Sequence, residues 1–326
     1  MRKRTGEAAG APGGGAEFGE LSGSGDLDKP GGPAGDAGAG PGRGGGPLLR
    51  FSDVVKTRPG GQGYRLSVDS FRAFRGERLA LIGESGSGKS TFLDMVAMIL
   101  KPDLAAEMAF LPSGGPGWLD LWALWRGGRI GKFEALRRSE LGYVMQTGGL
   151  LPFLPVADNI ALPARLKRGF PKSEIKDRLM FLAGRLGITH LLGKSPARIS
   201  VGERQRCAVA RALIHDPVMV LADEPTASLD PPTADRIFEL LLELCEGRTL
   251  LVSTHERWRV AGDNFLVWEI VCEKGGESDP IEAALVGGRP GPPETAPPRT
   301  GPPPAGRGRP PAAAEDGPPA GPTLFG

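Results

Sequence analysis

A glycine-rich turn between an apolar run and a helical segment restricts the possible folds of this chain more than any other feature. Residues 79–82 are apolar, residues 92–96 favour a helix, and the segment between them reads Gly83-Glu84-Ser85-Gly86-Ser87-Gly88-Lys89-Ser90-Thr91. In a strand–turn–helix unit, glycines allow successive backbone N–H groups to surround a phosphate, and the helix N-terminus adds partial positive charge. The segment therefore predicts a nucleotide-phosphate site, a P-loop, in which all nine residues contact the nucleotide.

Two side chains of this segment have a predicted chemical role. Lys89 is expected to reach the β- and γ-phosphates of ATP, and the Ser90 hydroxyl to bind Mg²⁺. A turn rich in glycine and serine can also match this pattern by chance, because the chain contains 51 glycines among 326 residues. The interpretation consequently depends on the motifs that follow it.

The composition predicts one folded domain between two tails. Residues 1–47 are rich in glycine and alanine, and residues 273–326 in proline and glycine. Neither segment has enough apolar surface to offset its ordering entropy, so both are predicted to be disordered. We expect the folded domain to span residues 48–272, which is long enough for a large core.

Charge and hydropathy argue against several classes of protein. The formal net charge is +2, without a long basic run, which gives no electrostatic reason to expect nucleic-acid binding. No apolar segment follows the basic N-terminus as in a signal peptide, and none has the roughly 20 apolar residues of a membrane span. These observations predict a cytoplasmic protein.

Alternating strand and helix patterns predict an α/β fold with a largely parallel sheet. Two alternating runs, residues 49–55 and 64–71, favour a hairpin ahead of the P-loop strand. Apolar strands are predicted at 108–111, 141–145, 218–222 and 249–253, and helices at 172–193, from 200 onward and at 233–245. Nearly pure apolar strands such as 218–222 are typical of parallel strands covered on both faces.

Two carboxylates follow the apolar strand at 218–222. Asp223 and Glu224 stand at its carboxyl end, where open α/β sheets place their ligands. Asp223 is predicted to hold Mg²⁺, directly or through water, and Glu224 to act as the general base for the attacking water. This is the Walker B pattern.

Four more short motifs stand in a fixed order along the chain. Together with the P-loop and the Walker B pattern, they make the chain resemble an ATP-binding-cassette (ABC) ATPase over residues 48–272. Gln146 resembles the Q-loop glutamine, residues 199–206 the signature motif, residues 226–230 the D-loop, and residues 253–255 the switch-histidine loop. The resemblance implies a P-loop NTPase with a RecA-like, mostly parallel sheet core, an antiparallel β subdomain and a helical signature subdomain at about 147–215. It also implies that Gln146 senses the metal and the attacking water, and that His255 contacts the γ-phosphate.

The signature segment also has a local physical explanation. Ser200 followed by Glu203 forms an S-x-x-E capping box at a helix start, whose N–H groups suit a phosphate. The resemblance implies that Ser200, Gly202, Glu203 and the D-loop residue Asp230 bind the nucleotide across a homodimer interface. Val201 departs from the family pattern, because this position usually holds glycine.

The residue that stacks on adenine has two candidates. Alignment of residues 56–58 with the family's Lys-x-Tyr pattern places Arg58 at this position. A guanidinium plane can stack on a base. Tyr64 is the alternative.

The segment after Gln146 indicates the type of cassette. Residues 150–163 resemble those of lipoprotein-release, macrolide-export and cell-division cassettes. This implies a separate ATPase subunit that forms an ATP-dependent homodimer and lies on the inner face of the cell membrane through an integral-membrane permease. The alternatives are a solute-importer cassette, a non-transport ABC protein and a regulatory cassette that binds ATP without turnover.

An aromatic insertion at about 112–132 separates the P-loop helix from the Q-loop. Trp118, Trp122 and Trp125 have i, i+4, i+7 spacing, which predicts one helical face, and Arg126, Arg129 and Lys132 follow. The face could pack on the domain's own core or dock onto a membrane subunit or the bilayer surface.

Overall fold

The computed structural model describes residues 46–59, 63–115, 117–167, 169–273 and 280–290. Its centre is one sheet of ten strands, in the order β5-β4-β1-β2-β10-β9-β3-β8-β7-β6. The strands are β1 (Pro47–Arg58), β2 (Tyr64–Phe74), β3 (Arg78–Ile82), β4 (Glu107–Phe110), β5 (Leu119–Asp120), β6 (Leu141–Val144), β7 (Met219–Asp223), β8 (Thr249–Thr254), β9 (Leu266–Glu273) and β10 (Ile281–Pro290). The predicted disorder of residues 1–45 and 291–326 lies outside the described residues.

Seven α-helices connect or cover these strands in the part of the chain that the structure describes. They are α1 (Lys89–Val96), α2 (Leu121–Arg126), α3 (Ile130–Glu140), α4 (Val156–Leu166), α5 (Lys172–Arg185), α6 (Val201–Leu213) and α7 (Pro231–Leu244). Helix α5 is shorter than the predicted helix at 172–193, because Gly187 adopts a left-handed φ of 65° that ends it. Helix α4 had no counterpart in the sequence-based prediction.

One half of the sheet is parallel and carries the predicted nucleotide motifs. Strands β9, β3, β8, β7 and β6 run parallel to their neighbours in that order. Each central strand is buried on both faces: Leu221 faces one core cluster, and its neighbours Val220 and Ala222 face the other. This two-sided burial explains why the strand sequence is apolar without alternation.

The other half of the sheet is antiparallel and begins with the predicted hairpin. Strands β1 and β2 pair antiparallel from Pro47↔Phe74 to Arg58↔Tyr64, which confirms the hairpin. Strand β4 adds to β1, and β5 adds to β4, also antiparallel. Phe51, Phe71 and Phe92 meet beneath the hairpin with ring centroids 5.0–6.3 Å apart, which ties this half to the P-loop helix α1.

The predicted end of the folded domain at residue 272 is wrong. Strand β10 lies within the segment predicted as a disordered tail, where it pairs parallel with β2 and antiparallel with β9. Ala283 and Leu285 are buried in the core. Residues 281–286 are apolar at five of six positions, a short run inside a segment rich in proline and glycine, and pairing on both sides satisfies the backbone groups of this run.

Helices α4, α5 and α6 form the predicted helical subdomain beside the parallel half. Buried residues of all three helices pack in a single cluster with β3, β7, β8 and α7. The amide of Asn159 is fully buried, accepting from Leu151 N at 2.7 Å and donating to Leu154 O at 2.9 Å. These bonds fix the loop between β6 and α4.

The aromatic insertion packs mainly on its own domain. Helix α2 begins only at Leu121, so Trp118 lies outside it and the predicted single helical face is wrong. Trp125 stacks on buried Phe133 at a centroid distance of 4.1 Å, and Trp122 and Trp125 both contact the core cluster. Trp118 lies beneath the guanidinium of Arg50, 4.0 Å from its ring centroid. The helix begins only after Trp118, because the Asp120 side chain caps α2 by accepting from Ala123 N at 2.8 Å.

None of the helices in the described part of the chain has the length and apolar character that a bilayer crossing requires.

Candidate active site

The P-loop lies where its sequence predicts, between β3 and α1. Gly86 and Gly88 adopt left-handed φ angles of 80° and 101°. A Cβ on Gly88 would lie 1.7 Å from the Tyr64 hydroxyl, so this position requires glycine for space as well as for conformation. Ser85 and Ser90 are exposed, whereas Ser87 and Thr91 are buried.

Tyr64 holds the P-loop through its hydroxyl group. Its hydroxyl donates to the Ser87 carbonyl at 2.5 Å. Burial raises the pKa of Tyr64 above its usual range, so the hydroxyl keeps the proton that it donates. Tyr64 is thus engaged with the loop, whereas Arg58, its partner across the β1–β2 ladder, is exposed at the strand end.

Lys89 is buried at the start of α1 and points across the loop. Its ammonium donates to the carbonyls of Gly83 at 2.9 Å and Glu84 at 2.8 Å. It also lies 3.1 Å from Glu224 Oε1, so one ion pair joins the P-loop to the end of β7. The two predicted motifs, 135 residues apart in sequence, meet at this ion pair.

Strands β7 and β8 end in a hydrogen-bonded cluster. Ser253 donates from Oγ to Asp223 Oδ1 at 2.6 Å, and Glu224 N donates to Ser253 Oγ at 2.9 Å. Glu224 has a φ of 41°, which is strained for a residue with a side chain and is typical of functional sites. Ser253 therefore orients the Asp223 carboxylate and holds the backbone of Glu224, two contacts that its place in the switch motif did not indicate.

His255 follows β8 and lies next to Glu224. Its Nδ1 is 3.7 Å from Glu224 Oε2, and the imidazole is about half exposed. The parallel register of β7 and β8, in which Asp223 pairs with Ser253, places the two loops side by side. The predicted base and the predicted switch residue therefore share one edge of the sheet.

Gln146 is exposed, two residues beyond the end of β6. Its loop is held from α6: Arg211 donates to the carbonyls of Gly149 at 2.6 Å and Gly148 at 2.8 Å. Burial lowers the pKa of Arg211. The structure gives no hydrogen bond between Gln146 and Asp223 within its described residues, although β6 and β7 are parallel neighbours.

The signature segment begins α6 as predicted. Ser200 accepts from Glu203 N at 3.2 Å, and Glu203 accepts from Ser200 N at 2.8 Å, which completes the capping box. The hydrogen bond from Ser200 N lowers the pKa of Glu203. Val201 is 51% exposed, and a Cβ on Gly202 would lie 3.0 Å from Thr233 Cγ2.

Helix α7, whose Thr233 lies against Gly202, is capped by Asp230. Its carboxylate accepts from Thr233 N at 3.1 Å, and this bond lowers its pKa. Neither Asp230 nor the signature residues contact the P-loop of their own chain in the hydrogen bonds and ion pairs of the described residues. The sequence-predicted site is consequently divided into two clusters, one around Lys89 and one around Ser200.

The donor set suits Mg²⁺. The Ser90 hydroxyl, the Asp223 carboxylate and the Gln146 amide offer oxygen, the ligand type that Mg²⁺ prefers. Within the described residues, no three His, Cys, Asp or Glu side chains cluster as a metal cage. Mg²⁺ commonly binds through one or two carboxylates together with phosphates and water, which fits one oriented carboxylate beside a phosphate loop.

Comparison with known proteins identifies the family. The profile of the family described as ABC transporter matches residues 66–227. The lipoprotein-releasing system ATP-binding protein LolD of Idiomarina loihiensis is 36% identical over 213 residues, which cover 64% of this chain and 88% of that protein. This chain belongs to the ABC transporter ATP-binding family. A LolD of Paramagnetospirillum magneticum is 39% identical over 184 residues, covering 55% of this chain and 75% of its own.

Solved structures agree with this membership. A dimeric post-hydrolysis state of the ATP-binding cassette MJ0796 bound to ADP and Pi superposes with a TM-score of 0.58 at 27% identity, covering 74% of this chain and 99% of that one. The CbiO1 structure from Clostridium perfringens, part of the ABC transporter complex CbiONQ, has a TM-score of 0.57 at 27% identity and covers 75% and 89% of the two chains. The predictions of family, fold and ATP-hydrolysing transport function are confirmed: this cassette is an ATPase subunit of an ABC transporter.

Proposed function

We propose that this cassette hydrolyses ATP–Mg²⁺ at two sites between the subunits of a homodimer and thereby drives an integral-membrane permease on the inner face of the cell membrane. The convergence of Lys89, Asp223, Glu224 and His255 at one sheet edge carries this proposal, since Glu224 lies 3.1 Å from Lys89 and 3.7 Å from His255. These groups supply a phosphate ligand, a metal ligand, a base and a second γ-phosphate contact within one small volume.

In the proposed mechanism, Lys89 and the P-loop N–H groups bind the β- and γ-phosphates. Ser90, Asp223 and Gln146 would hold Mg²⁺, which neutralises phosphate charge when bound. Glu224 removes a proton from the attacking water. The bond to Ser253 Oγ holds the Glu224 backbone, and the ion pair with Lys89 orients its carboxylate. His255, next to Glu224, contacts the γ-phosphate.

The separation of the signature cluster from the P-loop supports a dimer. The N–H groups at the start of α6 suit a γ-phosphate, and the exposed Val201 leaves this helix end accessible. A nucleotide on a second copy would complete the site with Ser200, Gly202, Glu203 and Asp230. The dimeric form of the MJ0796 structure supports the same arrangement.

The exposed surface after Gln146 supports docking of the permease there. Phe153 is 76% exposed and Met145 is 47% exposed on either side of the Q-loop. Arg211 of the signature helix holds this loop through two carbonyls, so movement of the loop would reach α6 directly. The names of the two LolD relatives support a cassette of the lipoprotein-release type.

Substitution of the proposed base tests the function. Glu224→Gln keeps the shape of the side chain but removes the base, so kcat should fall by about 10²-fold or more while ATP binding persists. This variant should also accumulate an ATP-dependent dimer on size exclusion. Glu239→Gln, an exposed site on α7, is the matched control and should retain wild-type turnover. Undiminished hydrolysis by Glu224→Gln would refute the proposed role.

A further inference from the structure

A buried guanidinium lies close to the switch loop and has no role in the mechanism above. The side chain of Arg259 is 4% exposed. Its Nη1 lies 2.5 Å from Asp235 Oδ1, its Nε is bonded to Glu256, and its guanidinium carbon lies 4.3 Å from the Trp258 ring centroid. A buried guanidinium that is paired with two carboxylates fixes the positions of both, because loss of these partners would leave the guanidinium charge buried and unpaired.

The two carboxylates belong to different functional elements. Glu256 follows His255 directly, and its backbone N–H donates to Thr254 Oγ1 at 3.0 Å at the end of β8. Asp235 lies on α7. Arg259 therefore holds the chain next to the switch histidine against α7.

The first turns of α7 also contact the other functional cluster. Asp230 caps the helix, and Thr233 lies against Gly202, where even a Cβ would approach to 3.0 Å. Asp235 follows two residues later on the same helix. Helix α7 is thus in contact with the D-loop, the signature helix and, through Arg259, the switch loop.

The opposite side of the same 3₁₀ turn, Arg257–Arg259, has a weaker attachment. Arg257 pairs with Glu269 on β9, but its side chain is 48% exposed. Exposed ion pairs contribute little to stability or rigidity. The buried attachment to α7 therefore dominates the position of the turn.

We propose that Arg259 is a positioning residue for hydrolysis, which fixes His255 relative to the signature-bearing side of the cassette by joining Glu256 to Asp235. The proposal rests on the proposed function, in which His255 acts on one nucleotide of the dimer and the signature helix on the other. Through α7, the arrangement of one site is then mechanically linked to that of the second.

The chemistry predicts a defect in turnover and not in binding. Without the guanidinium, the Glu256 and Asp235 carboxylates, which are 27% and 39% exposed, lose the positive charge that joins them, so the switch loop is no longer held against α7. Misplacement of a catalytic group by about 1 Å can cost 10²-fold in rate. Lys89 lies at the start of α1 and the P-loop glycines lie between β3 and α1, away from the contacts of Arg259, so ATP binding should persist.

The test compares Arg259→Gln with Arg257→Gln in the full-length chain. Arg259→Gln should lower kcat by about tenfold or more with KM for ATP changed less than about twofold, and Arg259→Lys should recover part of the loss. Arg257→Gln should retain wild-type kcat. In the Glu224→Gln background, Arg259→Gln should still form the ATP-dependent dimer, which separates a failure of this inference from a failure of the proposed function.

A second pair of variants keeps the test valid if Arg259→Gln fails to fold. Asp235→Asn and Glu256→Gln preserve side-chain shape, and each should lower kcat. Added to a folded Arg259→Gln variant, Asp235→Asn should cause little further loss, because both remove one interaction. Wild-type kcat in Arg259→Gln, or in both carboxylate variants, would overturn the proposal. A fall in kcat matched by an equal rise in KM would also overturn it, by indicating general distortion.

Discussion

The parallel and antiparallel halves of the sheet differ in the kind of residue that is most prominent in each and in what that residue does. In the parallel half, the P-loop helix begins with the buried charge of Lys89, and the end of β7 leads into the strained backbone of Glu224, whose φ is 41°. In the antiparallel half, aromatic rings pack on one another, as Trp125 does on Phe133 at 4.1 Å. Parallel strands bring several carboxyl ends to one edge, whereas an antiparallel hairpin alternates its ends. Sheet direction therefore decides which prominent residues serve chemistry.

Removal of β10 should produce the largest effect, because this strand joins the two halves. Truncation after Glu273 removes its ladders to β2 and β9 together with the burial of Ala283 and Leu285. We expect a loss of more than about 4 kcal/mol in the free energy of unfolding, or a chain that does not fold. Chemical denaturation followed by circular dichroism would measure this.

Truncation after Pro290 is the matched control for β10. It removes only the residues that the sequence predicts to be disordered, and should change Tm by less than about 2 °C. Equal stability of the two truncated chains would contradict a joining role for β10.

Within the parallel half, Lys89→Ala should weaken ATP binding by about 10²-fold, because the ammonium neutralises phosphate charge before any chemistry. A fluorescent ATP analogue titrated against the purified cassette would give the Kd. Lys101→Ala, at an exposed position after α1, should bind like the wild type. Unchanged affinity in Lys89→Ala would contradict the P-loop assignment.

Within the antiparallel half, Trp125→Ser should lower the free energy of unfolding by about 2–3 kcal/mol through loss of packing on Phe133, with kcat per folded molecule unchanged. Trp118→Ser, which loses mainly a cation–π contact with Arg50, should cost about 1 kcal/mol or less. Thermal denaturation would compare the two. An unchanged Tm in Trp125→Ser with lost co-sedimentation on membranes would instead support the docking interpretation of this insertion.

The smallest expected effect concerns Arg58, the residue that the sequence predicts to stack on adenine. Arg58→Ala should raise KM for ATP about two- to fivefold, the amount that stacking of a guanidinium on an exposed ring supplies. Steady-state ATPase kinetics would measure it, with the exposed Arg72→Ala on β2 as the control. Equal KM values would place the base away from Arg58.

The sequence alone determined the features that depend on neighbouring residues. The P-loop, the apolar strand before Asp223 and the capping box of Ser200 and Glu203 each have a local pattern with a physical cause, and their order indicated the family. The parallel core and the β1–β2 hairpin followed from hydrophobic periodicity. The roles of individual site residues stay predictions until they are tested.

Only the tertiary structure decided the contacts between distant parts of the chain. Tyr64 reaches Ser87 across 23 positions, and Thr249 reaches Phe74 across 175. The pairing of β10, the burial of Arg259 and the packing of Trp125 depend equally on partners far along the chain. Such contacts leave no periodic trace in sequence, because a single hydrogen bond or ring contact restricts one residue type at one position and nothing around it.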